Sequence, residues 1–173
     1  MQMTVLESWT ADFGYRPDLP TRELPVKWAI LVDRDLPRGL QANAVACLAA
    51  SVGNAVPAIL GAGGADASGR AHPGLPWTGC AVLAAPAAVV RRVAAEAAAV
   101  PDLLVTDMAT IAQRTNVYRD YLDELARTRS EDLAYHAVSL FGSRPDVERL
   151  TGRLPCCAEP PGHDPGGSSG TVV

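Results

Sequence analysis

Apolar and polar positions along the chain fall into two kinds of block, short continuous apolar runs and longer stretches of helical period. The first run, Trp28 to Val32, stops at a charged turn that holds Pro37 and Gly39. An Ala-rich pattern follows from about Leu40. Together they predict a buried strand, Val26–Val32, then a helix from about Leu40 to Val52 that Gly53-Asn54 closes. Val56–Leu60 reads as a short strand, which Pro57 confines to an edge. Gly61–Gly69 reads as a flexible loop by composition, and Gly79–Leu83 as the next strand. Pro86 opens a helix over Pro86–Ala99, where its missing N–H costs nothing, and Pro101 stops it. Leu103–Thr106 predicts another buried strand, with Asp107 at its C-terminal end. Val117, Tyr121 and Leu125 recur at i, i+4 and i+8, so Ala112–Arg127 predicts one amphipathic helix. A turn at Ser130-Glu-Asp precedes a strand, Tyr135–Phe141, ended by Gly142. Ser143 then reads as the N-cap of a short helix closed by Gly152.

Strands alternating with helices predict a three-layer α/β domain, with a mostly parallel or mixed sheet and helices on both faces. Residues 1–25 show no sustained period and carry Pro17, Pro20 and Pro25, as an N-terminal arm would. Residues 26–154 form the single α/β domain. Residues 155–173 are a Pro/Gly-rich tail with little to bury, predicted to be disordered.

Composition narrows the function classes. The net charge of the 173 residues is −4, but residues 26–154 carry 13 basic and 13 acidic side chains, so the domain is neutral overall. A neutral domain has no large field to gather a polyanion, which argues against nucleic acid. No apolar run reaches spanning length and no signal peptide is visible, so a cytoplasmic protein without a membrane partner is expected. The four cysteines make no C-x-x-C pair and no metal-ligand spacing with histidine. Cys47 and Cys80 lie in apolar contexts, where a small buried thiol is expected. The Gly-rich segment lacks the phosphate-loop and dinucleotide patterns. Neither a cofactor nor a metal is therefore expected. Lys27, the only lysine, starts the first strand, about 20 Å from the charged turn at roughly 3.3 Å per residue; this places it at the opposite end of the sheet.

Candidate chemistry gathers where strands end and helices begin, because helix-terminal N–H groups are unpaired there. Asp35 and Arg38 fall in the first such loop, and Gln41 and Asn43 follow in the helix. Asn43 has poor helix propensity, so a hydrogen-bonding duty is expected of it. Asp107 is read either as a base, as an anchor for an amine, or as the N-cap of the next helix. His72, beside Pro73 and Gly74, could reach into a cleft.

Strand Val26–Val32, Asp35-Leu36 and the Ala-rich helix resemble the opening of type II peptidyl-tRNA hydrolases. Leu140-Phe-Gly-Ser and Asp146-Val-Glu-Arg-Leu-Thr-Gly-Arg-Leu154 resemble that superfamily's last strand and helix. A nearer resemblance is to an uncharacterised bacterial family, domain of unknown function two thousand. It rests on Leu36-Pro-Arg-Gly-Leu-Gln-Ala-Asn43, Asp66-Ala-Ser-Gly-Arg-Ala-His-Pro-Gly74, and Asp107 followed by Ala112-Gln113. The resemblance covers about residues 26–154 and implies a peptidyl-tRNA hydrolase II-like fold. The hydrolases carry a catalytic lysine early in helix one and a histidine further along; the matching positions here are Ala42 and Ala49. Asp107 matches their aspartate, while their threonine falls at Ile111, one place from Thr110. Without the lysine, the charge that would stabilise an oxyanion is missing, which argues against peptidyl-tRNA hydrolysis itself.

If the ends of the first and fourth strands are neighbours, as the resemblance implies, one cleft forms. Asp107, Asn43 and Thr110 would carry the chemistry there, and Asp35, Arg38, His72 and Gln113 would bind the substrate. The expected function is that of a small-molecule enzyme of hydrolase or transferase type, acting on an acyl- or amide-bearing metabolite. The alternatives are a non-catalytic ligand-binding domain, a homo-oligomerising domain, and a retained activity on aminoacyl- or peptidyl-tRNA.

Overall fold

A computed structural model describes residues 14–152 and 154–156. Most of the predicted arm, and the tail from Cys157 onward, lie outside the described residues. The elements run β1 (Val26–Asp33), α1 (Arg38–Ala55), β2 (Gly64–Ala65), β3 (Ala71–His72), β4 (Ala81–Ala85) and α2 (Ala87–Ala98). They continue with β5 (Leu104–Ala109), α3 (Ile111–Arg114), α4 (Tyr118–Arg127), β6 (Tyr135–Ser143) and α5 (Arg144–Thr151). Short 3-10 turns at Thr21–Glu23, Pro57–Ile59 and Ser130–Asp132 fill the connections.

The main sheet has the order β4-β1-β6-β5. β1 runs parallel to β4, and β6 runs antiparallel to both β1 and β5. The sheet is therefore mixed, and its reversed strand lies in the interior. β1 is buried along almost its whole length because both of its faces are covered. Trp28, Ile30 and Val32 face α1 and pack with Leu48, Val52, Met108 and Phe141. Ala29 and Leu31 face α2 and α5 and pack with Val90, Val93, Val138 and Val147. Ile30 is wholly buried; removing a side chain of that size from water contributes about 2–3 kcal/mol. The α1-side core holds one polar link, in which Trp28 Nε1 donates to Ser139 Oγ at 2.9 Å. In the low-dielectric interior that bond answers both groups.

Several predicted boundaries move. α1 starts earlier and continues through Gly53-Asn54 to Ala55, because Leu48 and Val52 anchor both halves in the core and outweigh the helix-breaking residues. Val56–Leu60 is a 3-10 turn rather than a strand, since Pro57 presets the turn and cannot donate to a ladder. The predicted loop at Gly61–Gly69 instead supplies one arm of the β2–β3 hairpin. Its neck needs glycine: a Cβ on Gly74 would run into the carbonyl of Gly61. β5 runs on through Thr106 and Asp107 to Ala109, so Asp107 lies inside the strand and caps no helix. The predicted helix Ala112–Arg127 is two, α3 and α4, because the chain is extended at Thr115 and Val117. Cys47 and Cys80 are exposed rather than buried, although its surroundings push the Cys80 thiol up to about 12.

The far end of the sheet is fastened by ion pairs and charge-assisted hydrogen bonds. Ser143 caps α5 by accepting from the Asp146 N–H. Arg144 donates to the carbonyls of Leu24 and Thr21 and to Glu148, which holds residues 21–24 against the sheet. Lys27 Nζ meets Glu148 Oε1 at 3.3 Å, at the opposite end of β1 from Asp33, as its position in the strand predicts.

Candidate functional site

A hollow of about 460 Å³ opens between α1 and the segment formed by the end of β5, α3 and the start of α4. The α1 wall is built by Asn43, Cys47 and Ser51, one helical turn apart, so their side chains stack along one face. Leu48 and Met108 form an apolar floor continuous with the core. The opposite wall carries Gln113, Thr115 and Asn116, then Tyr118 and Tyr121 of α4. The break between α3 and α4 shapes this wall, because it turns the two tyrosines toward α1.

Asn43 and Gln113 bridge the rim, with Asn43 Nδ2 donating to Gln113 Oε1 at 3.2 Å. Both side chains are exposed enough to exchange this contact for one with a ligand. Among the described residues that line the hollow, Asp107 is the only charged one. Alternation along β5 turns Thr106 and Met108 toward α1 and Asp107 away from it. β5 is the edge strand, however, with a register shift after Met108, and Asp107 still borders the space. Its surface reaches solvent, yet the packing around it removes enough water to raise its carboxyl above the ordinary value. Tyr121 and Tyr135 are raised as well, first by burial and then by the Asp107 charge, so both rings stand close to that carboxylate.

Of the residues predicted for the cleft, the structure brings Asn43, Asp107 and Gln113 together. The other four sit elsewhere. Asp35 lies in the turn after β1, where its N–H donates to Asp33 Oδ1 at 3.1 Å. Arg38 is the first residue of α1 and exposed, outside the hollow lining. Gln41 folds back to donate to the carbonyls of Asp33 and Arg34, which closes this turn on itself. Thr110 is in the N-cap position of α3, where its side chain makes no cap bond, and it lies outside the hollow lining. His72 is on the hairpin with Nε2 3.3 Å from Asp66 Oδ2, not in the cleft. Asp66 is held down to about 2, first by the Ser68 hydroxyl and then by His72 and the Arg70 N–H. Asp35 and His72 are used by their own turn and hairpin.

Sequence reasoning missed Cys47, Ser51, Thr115, Asn116 and the inward role of Tyr121; Tyr118 it left between a supporting site residue and plain helix surface. A signal existed at Cys47 and Ser51, which follow Asn43 at i+4 and i+8. Among the described residues, no three His, Cys, Asp or Glu side chains gather as metal ligands would. No helix among them is long and apolar enough to cross a membrane.

A four-stranded mixed sheet, helices on both faces and a polar hollow beside its edge strand define an α/β domain with a built recess. The chain belongs to the family described as protein of unknown function (DUF2000), which matches residues 26–157. It is also similar to the solved structure of a protein of unknown function, Atu0240, from Agrobacterium tumefaciens strain C58. That likeness has a TM-score of 0.72 at 16% identity, over 78% of this chain and 99% of the other. At that identity the likeness establishes a shared fold. No curated protein matches the chain.

Proposed function

We propose that the chain is a cofactor-independent enzyme of hydrolase or transferase type, acting on an acyl- or amide-bearing metabolite held in the hollow. The scaffold is read as one like that of the type II peptidyl-tRNA hydrolases, reused for a small molecule. The supporting observation is the meeting of Asn43, Gln113 and Asp107 at one recess. The two primary amides offer a donor and an acceptor to a substrate amide or ester, and so position it. Asp107, with its carboxyl raised by lost hydration, is a stronger base than an ordinary aspartate once ionised. It takes the proton from the attacking group. The hollow has room for a metabolite and not for a folded polynucleotide. With a neutral domain and no lysine at position 42, this supports a small molecule over tRNA.

The experiment is turnover of a panel of short amides and esters by the wild-type chain and by Asp107→Asn and Asn43→Ala. The expected result is a loss of about 100-fold or more for Asp107→Asn and a rise in KM for Asn43→Ala, with circular dichroism unchanged. Full activity in both variants sinks the reading.

A second reading, homo-oligomerisation, is favoured by a different observation. Leu75 is 77% exposed and Leu60 53% exposed, beside the edge-on pair Tyr15–Trp77 at 5.6 Å. Such a cluster marks a contact surface. Sedimentation tests it: replacing Leu75 by Glu shifts an oligomer to a smaller species, whereas a monomer in the wild type refutes it.

A further inference from the structure

The hollow has an electrostatic polarity that the proposed chemistry does not use. Among the described residues that line it, none is lysine, arginine or histidine, and Asp107 is the single charged group. A carboxylate or phosphate ligand would meet no counter-charge there, and would be repelled by Asp107. On the same wall stand two aromatic rings, Tyr118 and Tyr121, with centroids 5.6 Å apart and planes tilted by 52°. Tyr118 is 74% exposed, so its ring is open to a ligand. One carboxylate beside a pair of phenol rings is the arrangement that holds an organic cation, because the ring faces carry negative quadrupole and the carboxylate supplies the full charge.

We propose that the ligand of the hollow is an amine, bound as its ammonium between Asp107 and the rings of Tyr118 and Tyr121. This rests on the small-molecule reading of the hollow and names its substrate class. The amide or acyl end of the same molecule then faces Asn43 and Gln113 across the recess. Binding also acts on Asp107. In the empty hollow its carboxyl holds a proton more tightly than usual, and an ammonium alongside favours the ionised form. An ammonium bound there therefore moves the ionisation of Asp107 to lower pH. The other titratable groups about Asp107 are Tyr118 and Tyr121 on α4, Cys47 on α1, and Tyr135 on β6. Arg91 on α2 acts on Tyr135, and Arg114 on α3 is paired with Glu124 on α4 at 3.4 Å.

The test is nuclear magnetic resonance of the 173-residue chain titrated with butylammonium, butyramide and butyrate. The expected result is saturable movement of the Asp107 carboxyl carbon and the Tyr121 ring signals with butylammonium, at a Kd at least tenfold below that of butyrate. The Asp107 titration should move to lower pH in the complex. Asp107→Asn should weaken butylammonium at least tenfold and Tyr118→Leu several-fold; the wild-type carbon signal decides the matter even if a variant fails to fold. If butyramide or butyrate binds as well as the amine, or the Asp107 titration does not move, the amine assignment is wrong and the small-molecule hollow stands. If none of the three moves the signals of Asn43, Asp107 or Tyr121, both fall.

Discussion

At the scale of single residues, Asp107 carries a conflict between stability and chemistry. The folded chain binds its proton more tightly than the unfolded chain does. Stability therefore falls as pH rises from the ordinary carboxylate value through the raised folded one, and the penalty is complete above that window. Asp107→Asn removes the penalty. At neutral pH its melting temperature should exceed the wild type's, and the two should coincide well below the ordinary carboxylate range. Calorimetry across that range checks it; a destabilised variant at neutral pH would mean that Asp107 makes an attraction its surroundings do not supply. Residue type singled out Asn43, a poor helix former in a helix, whereas Asp107 was singled out by its place at a strand end and by its match to the aspartate of the resembled hydrolases. Asp35 and His72 attracted notice by their place in loops and proved to be spent on turn and hairpin bonds. Sequence cannot separate those two uses, since a turn and a ligand ask for the same donors and acceptors.

At the scale of elements, strong apolar period made β1, α1, α2, β6 and α5 legible, and the Ser143 cap was readable from its side-chain chemistry. The hairpin was not. β2 and β3 have two residues each, too few to alternate, and they are held by Asp66 rather than by apolar burial. Asp66 accepts from the Ser68 and Arg70 N–H groups, and its low pKa of about 2 sets the window in which it helps. The contribution is whole above the unfolded value of 3.8 and is lost as pH falls through about 2. Asp66→Ala should speed hydrogen exchange at Ser68 and Arg70 several-fold, because their N–H groups lose their acceptor. Exchange in β1 should be unchanged. The split of the predicted Ala112–Arg127 helix was also hidden, because Tyr121 and Leu125 keep helical spacing on α4 whether or not the chain breaks before it. That break is what makes the hollow, so the site's second wall could not be read from period.

For the whole molecule, Arg144 couples the segment before β1 to the last helix. Its guanidinium reaches Leu24 O at 2.6 Å and Glu148 Oε1 at 3.0 Å, and so joins parts of the chain 120 and 4 residues away. Arg144→Ala should cost about 1–2 kcal/mol and open residues 16–22 to trypsin, with little change at the hollow. Arg144→Lys should not rescue it, since one ammonium cannot reproduce the fork. The strand directions were partly legible: alternating strands and helices suggest a mostly parallel or mixed sheet, and the reversed strand is β6, which enters between β1 and β5. That insertion fixes an order of events during synthesis. The strand at the middle of the sheet is the last to leave the ribosome, so β1 and β5 have no shared neighbour until residue 143 has emerged. A nascent chain halted before Tyr135 must carry an open, apolar β1 edge, which is the form that chaperones hold.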